Sequence, residues 1–298
     1  MIVAAVDQGT NTTRLLVAKV EDGRVEEKHR ESRITRLGEG VDARGRLLPL
    51  PIARVRNVLS DYRRTAESLG AERTLLVATS AVRDAENGEA FLGEIEWSYG
   101  FATRLLSGDE EADLTRRGVG DLDSRTLLVD IGGGSTELVL GDFHKSLAMG
   151  SSRFTERHGE DAPALEAAAQ RLLPDLDPEE AVGVAATITS LAALDLGLED
   201  YDRERVHGHV LTREGARAQL DRLSAMPLDE RRRLPALDPE RAPVIVAGAA
   251  ILVAILDAYG LESIRVSERD LLDGAALAAA ELPEPEEGAA PPGAYTCC

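Results

Sequence analysis

Apolar and polar residues alternate along the chain with two different periods, and each change of period marks a predicted element. The stretch VDQGTNTTRLLVA, from Val6, places a turn of small residues between two apolar runs, which predicts strand, tight loop, strand. The stretch PIARVRNVLSDYRRTAESLG instead has helical spacing. Its apolar face consists of Ile52, Val55, Val58, Leu59 and Tyr62.

Strands and helices are predicted to alternate along the rest of the chain. In the first half, TLLVATS and ATRLLSG are predicted strands on either side of a helix in AENGEAFLGEIEWSYG. In the second half, AVGVAATITSLAALDLG and PVIVAGAAILVAILDAYG each predict a strand leading into a helix, and ESIRVSERDLLDGAALAAAEL predicts strand, loop and helix. This alternation favours a layered α/β fold.

The hairpin at Val6 recurs 123 residues later as VDIGGGSTELVLG, from Val129, with Asp, Gly, Thr and Leu at matching positions. A hairpin that opens each half indicates a duplicated domain. The polar segment GDLDS separates the halves, so we predict domains at residues 1–122 and 123–282. The tail 283–298 is rich in Pro, Glu and Gly and is predicted to be disordered.

Composition narrows the functional classes. The 298 residues are 43% hydrophobic, enough for two cores, and the net charge of −19 argues against a general binder of nucleic acid or acidic membranes. No secretory signal is visible, and the longest apolar stretch, Val244 to Leu256, is too short to span a bilayer. The only cysteines are Cys297 and Cys298. A cytoplasmic protein is the simplest expectation.

The glycines of VDIGGGSTELVLG allow three interpretations. A dinucleotide fingerprint requires a helix after the glycines, yet TELVL alternates like a strand. A P-loop ends in Gly-Lys-Ser/Thr, and this loop has no lysine. An ordinary tight turn remains, with Gly supplying a positive φ. Such a turn gives no reason for the Asp that precedes the glycines in both copies, which favours a ligand site.

The physical interpretation is a pair of facing hairpins at a cleft between two domains. Backbone N–H groups and the hydroxyls of the loops would hold phosphate oxygens. Asp7 and Asp130 would approach phosphate through a divalent cation, for which Mg²⁺ is well suited.

Six stretches carry a family resemblance: AAVDQGTNTTRLLVA, ATSAVRDAEN, LLSGDEEADLTRRGV, LLVDIGGGSTELVLG, MGSSRFTERH and VSERDLLDG. In this order and spacing they resemble the exopolyphosphatase and guanosine pentaphosphate phosphatase (Ppx/GppA) family, in its short actinobacterial form. The resemblance implies duplicated ribonuclease H-like domains of the actin and sugar kinase superfamily flanking a cleft.

The resemblance also implies roles for individual residues. Glu111 matches the general base, whereas the residues alone fit a solvated first helical turn for Glu110 and Glu111 equally well. Arg83 matches a phosphate-contacting arginine, and the alternative is a surface pair with Asp84. Glu137 is either a partner behind the metal ligands or an outward-facing strand residue. The predicted metal ligands, for Mg²⁺ or Mn²⁺, are Asp7 and Asp130. The predicted phosphate-binding set is Gly9, Thr10, Asn11, Thr12, Arg14, Arg83, Gly132, Gly133, Gly134, Ser135 and Thr136.

Two positions depart from the family pattern. Ala185-Ala186-Thr187 stands where the family has a Gly-Thr step, so the Cβ of Ala186 would narrow that loop. Gln8 replaces an apolar residue, which is harmless if its side chain points away from the cleft. The five histidines form no ligand motif, although His207 and His209 would point the same way on a strand.

The expected function is that of an exopolyphosphatase, which removes terminal phosphate from inorganic polyphosphate. The expected substrates include short chains. The alternatives are the same chemistry on guanosine pentaphosphate, a non-catalytic sensor of guanosine polyphosphates, and an ATP-dependent sugar kinase or actin-like ATPase suggested by the fold alone. The expected partners are inorganic polyphosphate or guanosine polyphosphates, and a second copy of the chain in a homodimer. Neither nucleic acid nor membrane is an expected partner.

Overall fold

The computed structural model describes residues 1–283 and divides the chain into two units. Unit 1 is Met1–Gly120 together with the described residues from Leu271 to Pro283, and unit 2 is Asp121–Asp270. The predicted tail, with Cys297 and Cys298, lies outside the described residues apart from Pro283.

Unit 1 is built on one five-stranded sheet with the order β3-β2-β1-β4-β5. Strands β1, β2 and β3 are antiparallel neighbours, while β4 and β5 continue the sheet parallel to β1. The strands are β1 Ile2–Gln8, β2 Thr12–Glu21, β3 Arg24–Ile34, β4 Arg73–Ala78 and β5 Ala102–Leu105. The helices before residue 121 are α1 Val41–Arg44, α2 Pro49–Ser68, α3 Ser80–Arg83, α4 Gly88–Tyr99 and α5 Gly108–Val119.

Unit 2 repeats this topology with one additional strand, in the order β10-β11-β9-β6-β7-β8. Its strands are β6 Thr126–Ile131, β7 Thr136–Leu140, β8 Phe143–Leu147, β9 Glu180–Val184, β10 Val210–Thr212 and β11 Ser263–Val266. Its helices are α6 Ser151–His158, α7 Ala162–Gln170, α8 Ala185–Asp195, α9 Arg203–Val206, α10 Arg213–Ala225, α11 Leu228–Arg231 and α12 Ile245–Ala258. Again three antiparallel strands precede two parallel ones, so the predicted duplicated ribonuclease H-like α/β fold is confirmed.

Apolar side chains from both faces of the first sheet are buried, as expected for a sheet covered on each side. Alternate residues of β1 and β2 enter two different cores: Ala4 and Val6 pack with α2 and α4, whereas Val3 and Ala5 pack against the other face. The predicted helix in PIARVRNVLSDYRRTAESLG is confirmed as α2. Because β1, β4 and β5 are parallel, their carboxyl ends lie at the same edge of the sheet.

The last helix, α13 Leu271–Ala280, corrects the predicted domain 123–282. It packs on the first sheet and on α5, so it belongs to unit 1. Close approach is possible because Gly274 faces the α5 backbone: a Cβ there would lie 1.8 Å from the Leu114 carbonyl oxygen. Asp273 is held by two hydrogen bonds from Arg30 of β3, at 3.0 and 2.9 Å.

The predicted strand at the start of PVIVAGAAILVAILDAYG is wrong, because helix α12 already begins at Ile245 and continues to Ala258. Its residues Ile245 to Leu256 are all buried. A helix that is apolar on every side gives no helical period, so its β-branched start resembles a strand. Among the described residues, no helix is long and apolar enough to cross a membrane.

Candidate active site

The two hairpins place the same carboxylate opposite different partners. In unit 1 the antiparallel register of β1 and β2 sets Asp7 opposite Arg14, and in unit 2 that of β6 and β7 sets Asp130 opposite Glu137. Directly opposed residues project from the same face of a sheet. Arg14 and Glu137 occupy equivalent positions of the repeat, 123 residues apart, so a cation lies opposite the first Asp and an anion lies opposite the second.

Asp7 forms a close ion pair with Arg14. Both Nε and Nη2 of Arg14 reach Oδ2 of Asp7, at 2.8 and 2.7 Å, and the aspartate is 5% exposed. Predicted as a phosphate contact, Arg14 in this structure neutralises a predicted metal ligand.

Asp130 and Glu137 are both buried at the start of the second hairpin. The Ser146 hydroxyl of β8 donates to Oε1 of Glu137 at 2.7 Å, which fixes that carboxylate in the sheet. Glu137 is thus inward-facing and not the exposed strand residue of the alternative interpretation. Two buried carboxylates on one sheet face need positive charge nearby.

In the first loop, which we call loop 1 (Gly9 to Thr12), backbone carbonyls are held from the segment that follows β3. Gly38 N–H donates to the Thr10 carbonyl at 2.8 Å, and the N–H groups of Thr35 and Arg36 donate to the Asn11 carbonyl at 3.0 and 2.9 Å. Gly38 is needed there because a Cβ would lie 2.3 Å from Cγ2 of Thr10.

The second loop, loop 2 (Gly132 to Ser135), is held in the same way by the start of α6. Ser151 N–H donates to the Gly132 carbonyl at 2.9 Å, and the N–H groups of Ser152 and Arg153 donate to that of Gly133 at 2.8 and 3.0 Å. Nε of Arg153 donates to the Gly134 carbonyl at 2.6 Å. Loop 2 therefore caps the N-terminus of α6 with its own carbonyls.

With the carbonyls held from one side, N–H groups of both loops remain available. Within residues 1–283, the backbone N–H groups of Thr10, Asn11, Gly133, Gly134 and Ser135 donate to no protein acceptor. Successive N–H groups without internal acceptors form a concavity that suits an anion. This arrangement is what phosphate binding by the two loops requires.

The glycines of the two loops do not provide positive φ angles. Gly9, Gly132, Gly133 and Gly134 are absent from the left-handed region, in contrast to the ordinary turn glycine Gly23 at φ 72°. At Gly9 and Gly132 the requirement is space, since a Cβ would lie 3.2 Å from the carbonyl oxygen of Thr12 or Ser135.

Glu111 lies on the buried side of α5, at the carboxyl edge of the first sheet. It is 6% exposed, and its Oε2 accepts a hydrogen bond from Nη1 of Arg83 at 3.1 Å. Arg83 also donates to the Leu106 carbonyl at 2.6 Å, and Thr115 donates to the Glu111 carbonyl at 2.8 Å. A guanidinium beside the carboxylate favours its ionised form, which a general base needs.

Glu110 has a different environment from its neighbour. It completes a capping box with Ser107: the Ser107 N–H and hydroxyl donate to Oε2 of Glu110 at 2.9 and 3.0 Å, and the Glu110 N–H donates back. The Ser107 N–H, then Arg104 and the Ser107 hydroxyl lower the pKa of Glu110. Glu110 therefore starts the helix, and the next residue is turned to the buried face.

Unit 1 links loop 1 to the arginine and glutamate through one short helix. The Thr10 hydroxyl lies 2.9 Å from that of Ser80, the first residue of α3, and Arg83 is the last residue of the same helix. The surface pair of Arg83 with Asp84 is replaced by its pair with Glu111. Ser80 was not predicted as a site residue; its position directly after β4 is the signal that indicates it.

Two predicted hydroxyl ligands differ in availability. The Thr136 side chain donates to the Met149 carbonyl at 2.5 Å and is fully buried, so it braces loop 2 from behind. Thr12, at the start of β2, is half-buried and opposite Ile34 of β3.

The segment that joins β9 to α8 differs from the expectation. Ala185 itself has φ +66°, in the left-handed region, and starts α8, whereas Ala186 has no positive φ. The strain of a side chain in this segment therefore falls on Ala185.

No cluster of three metal-binding side chains exists within the described residues. His207 and His209 do not point at a common ligand: Nδ1 of His207 accepts from the Glu268 N–H at 3.1 Å, and Nε2 of His209 lies 2.9 Å from Oδ2 of Asp195. Asp7 and Asp130 stay predicted ligands, since Mg²⁺ needs only one or two carboxylates when phosphate and water complete its coordination.

The sequence as a whole identifies this class of protein. The model of the Ppx/GppA phosphatase family matches residues 16–281, and the chain belongs to this family. It is 38% identical to Exopolyphosphatase 2 of Mycobacterium tuberculosis, with 93% of this chain and 98% of the relative covered. It is 29% identical to a guanosine-5'-triphosphate,3'-diphosphate pyrophosphatase of Vibrio atlanticus, of which only 58% is covered.

A crystal structure of an exopolyphosphatase-like protein agrees with the fold at a TM-score of 0.85 and 32% identity, covering 93% of this chain and 98% of that one. The resemblance drawn from the six motifs is thus confirmed as family membership. The roles of the individual site residues stay predictions.

Proposed function

We propose that this protein is an exopolyphosphatase, which hydrolyses the terminal phosphoanhydride bond of inorganic polyphosphate. The observation that carries the proposal is the Glu111–Arg83 pair on the same sheet edge as loop 1, where the N–H groups of Thr10 and Asn11 have no protein acceptor within residues 1–283. A base and an anion cradle in one unit are the parts that phosphoanhydride hydrolysis needs.

Polyphosphate is favoured over guanosine pentaphosphate by sequence similarity. The chain is 38% identical to the mycobacterial exopolyphosphatase and 29% identical to the Vibrio guanosine enzyme. Guanosine pentaphosphate is the second candidate substrate, supported by the 29% identity to that relative.

In the proposed reaction, loop N–H groups bind oxygens of the terminal phosphate and Arg83 contacts another. Glu111 accepts a proton from the attacking water. The water oxygen forms the new bond to phosphorus, the bridging P–O bond breaks, and the shortened polyphosphate leaves with the electron pair on its terminal oxygen. Arg83 has two tasks: it keeps Glu111 ionised and presents charge to phosphate.

A divalent cation, Mg²⁺ or Mn²⁺, would neutralise phosphate charge when bound. The donor set fits such an ion best at Asp130, since the opposing residue Glu137 adds a second buried carboxylate. At Asp7 the carboxylate already receives two hydrogen-bonding nitrogens from Arg14. Asp7 stays a predicted ligand, and Glu137 joins Asp130 in the proposal.

The test compares phosphate release from short polyphosphate, long polyphosphate and guanosine pentaphosphate, each with Mg²⁺ and with Mn²⁺. Release from either polyphosphate at a higher kcat/KM than from guanosine pentaphosphate supports the proposal. Tight binding of guanosine polyphosphates with no turnover under either metal would replace it by the sensor. The cytoplasmic location and the homodimer stay predictions.

A further inference from the structure

The residue after Asp7 is a fully buried amide. Gln8 is 0% exposed at the end of β1, where the repeat in unit 2 has the buried apolar residue Ile131. A buried polar side chain is costly unless each of its groups has a partner. The partners of Gln8 therefore show what the amide does in place of an apolar side chain.

Both ends of the Gln8 amide are hydrogen-bonded. Its Oε1 accepts from the Thr13 hydroxyl at 2.8 Å, and its Nε2 donates to the carbonyl oxygen of Gly9 at 3.0 Å. The Thr13 hydroxyl is in turn 2.9 Å from that of Thr35. The side chain is thus fixed at one end to the sheet and at the other to the first peptide of loop 1.

That peptide sets the direction of a ligand-binding group. Because a trans peptide is planar, its carbonyl and its N–H point in opposite directions. A bond that holds the Gly9 carbonyl therefore directs the Thr10 N–H, which donates to no acceptor within the described residues.

The repeat fixes the equivalent peptide by another route. In loop 2 the Gly132 carbonyl accepts from the backbone N–H of Ser151 at 2.9 Å, at the start of α6. In loop 1 the segment after β3 reaches the carbonyls of Thr10 and Asn11, while the Gly9 carbonyl is held by the Gln8 side chain. One carbonyl position is thus restrained in both loops, once by a helix start and once by a side chain.

We propose that Gln8 is a positioning residue for substrate binding, which orients the Gly9–Thr10 peptide so that the Thr10 N–H meets a phosphate oxygen. The inference rests on the proposed function of loop 1 as a phosphate site. Gln8 itself does not touch the substrate, so its loss affects binding through Thr10.

The test uses Gln8→Met, which keeps the side-chain length and removes the donor, with Gln8→Ile as a second variant that copies Ile131. The control is Tyr62→Phe, which deletes a buried hydroxyl that donates to the Thr13 carbonyl at 2.9 Å and leaves loop 1 untouched. We expect Gln8→Met to raise KM for polyphosphate roughly tenfold, as for a misdirected hydrogen bond to a charged group. Its kcat should stay within about twofold of the wild type, a small effect on this scale.

Binding is measured in parallel by calorimetry with tripolyphosphate in EDTA, which needs no turnover. A weaker Kd in both Gln8 variants, with Kd and KM unchanged in Tyr62→Phe at a comparable loss of thermal stability, supports the inference. Equal effects in the Gln8 variants and the control would show a structural role only and overturn it, as would an unchanged KM and Kd.

The two proposals fail differently. If the wild type binds tripolyphosphate more tightly than Gln8→Met but hydrolyses no polyphosphate, the proposed function falls and the positioning role stands. If the wild type binds no tripolyphosphate, the positioning role falls with the phosphate site.

Discussion

Removing the charge of Arg83 should change the pH at which the enzyme loses activity on the acid side. The perturbation is Arg83→Met, which keeps much of the side-chain volume and deletes the guanidinium that lies 3.1 Å from Oε2 of Glu111. Without that cation the carboxylate is less favourable, so Glu111 takes up a proton at a higher pH and the base form is lost earlier on acidification.

The magnitude follows from distance and exposure. Unit charges at about 4 Å interact by about 1 kcal/mol in water and about 4 kcal/mol at the dielectric typical near a protein surface. The Arg83 side chain is 25% exposed and that of Glu111 is 7% exposed, which places the pair between these limits, at about 2 kcal/mol. Loss of this interaction should therefore move the acid limb of the profile to higher pH.

The assay is the pH profile of kcat for phosphate release under saturating polyphosphate. Arg83→Lys keeps the charge and should move the acid limb less than Arg83→Met. Arg104→Met is the matched control, because Arg104 pairs with the neighbouring Glu110 and both side chains are more than 40% exposed. An acid limb that stays in place in Arg83→Met, whatever the change in rate, would refute the assignment of Glu111 as the base held ionised by Arg83.

Three further predictions concern other parts of the two units. Ala185→Gly should raise the free energy of unfolding by about 0.5 to 1 kcal/mol, because the steric strain removed from a left-handed residue exceeds the cost of the added backbone entropy. Ala186→Gly, which has no such strain to remove, should lower the free energy of unfolding by a similar amount. Urea unfolding that shows the same sign of change for both variants would contradict this. The pKa of Glu110 lies below its usual value of 4.5, so its stabilisation of α5 should be fully present above that pH and disappear as the pH falls through the lowered pKa. The difference in unfolding free energy between the wild type and Glu110→Gln, followed from pH 7 downward, should therefore shrink only below about 4.5. A difference that stays constant with pH would argue against the capping role. Glu137→Gln should raise the Mg²⁺ concentration for half-maximal activity by about tenfold or more, with the mutation of its exposed neighbour in β8, Lys145→Gln, as the control; an unchanged metal requirement would remove Glu137 from the proposed site.

The fold was largely predictable because its strands and helices have clear periods. The hairpins with Asp7 and Asp130 could be found from their repeat, and the topology confirmed the duplication. Strand β3 was not predicted, since at the sheet edge its charged residues hide the alternation. The start of helix α12 resembles a strand in the sequence because burial on all sides leaves no polar face.

The sequence indicates candidate residues for the site but not the pairs that they form. The spacing Ser107-x-x-Glu110 is a capping-box signature that separates Glu110 from Glu111, but the pair of Glu111 with Arg83 joins positions 28 residues apart and is not visible in the sequence pattern. Likewise, the contrast between the Asp7–Arg14 and Asp130–Glu137 pairs depends on cross-strand register. The repeat shows that Arg14 and Glu137 are equivalent positions, but their pairing with the two aspartates follows only when both hairpins are known to have the same register.

In the proposed mechanism, Glu111 is the base of a polyphosphate hydrolase. The most direct measurement is single-turnover phosphate release from tripolyphosphate and from long-chain polyphosphate by the wild type and by Glu111→Gln, with calorimetric binding of the same substrates. We expect Glu111→Gln to bind both substrates about as tightly as the wild type and to release phosphate at least about a hundredfold more slowly. Release by Glu111→Gln at the wild-type rate would contradict it.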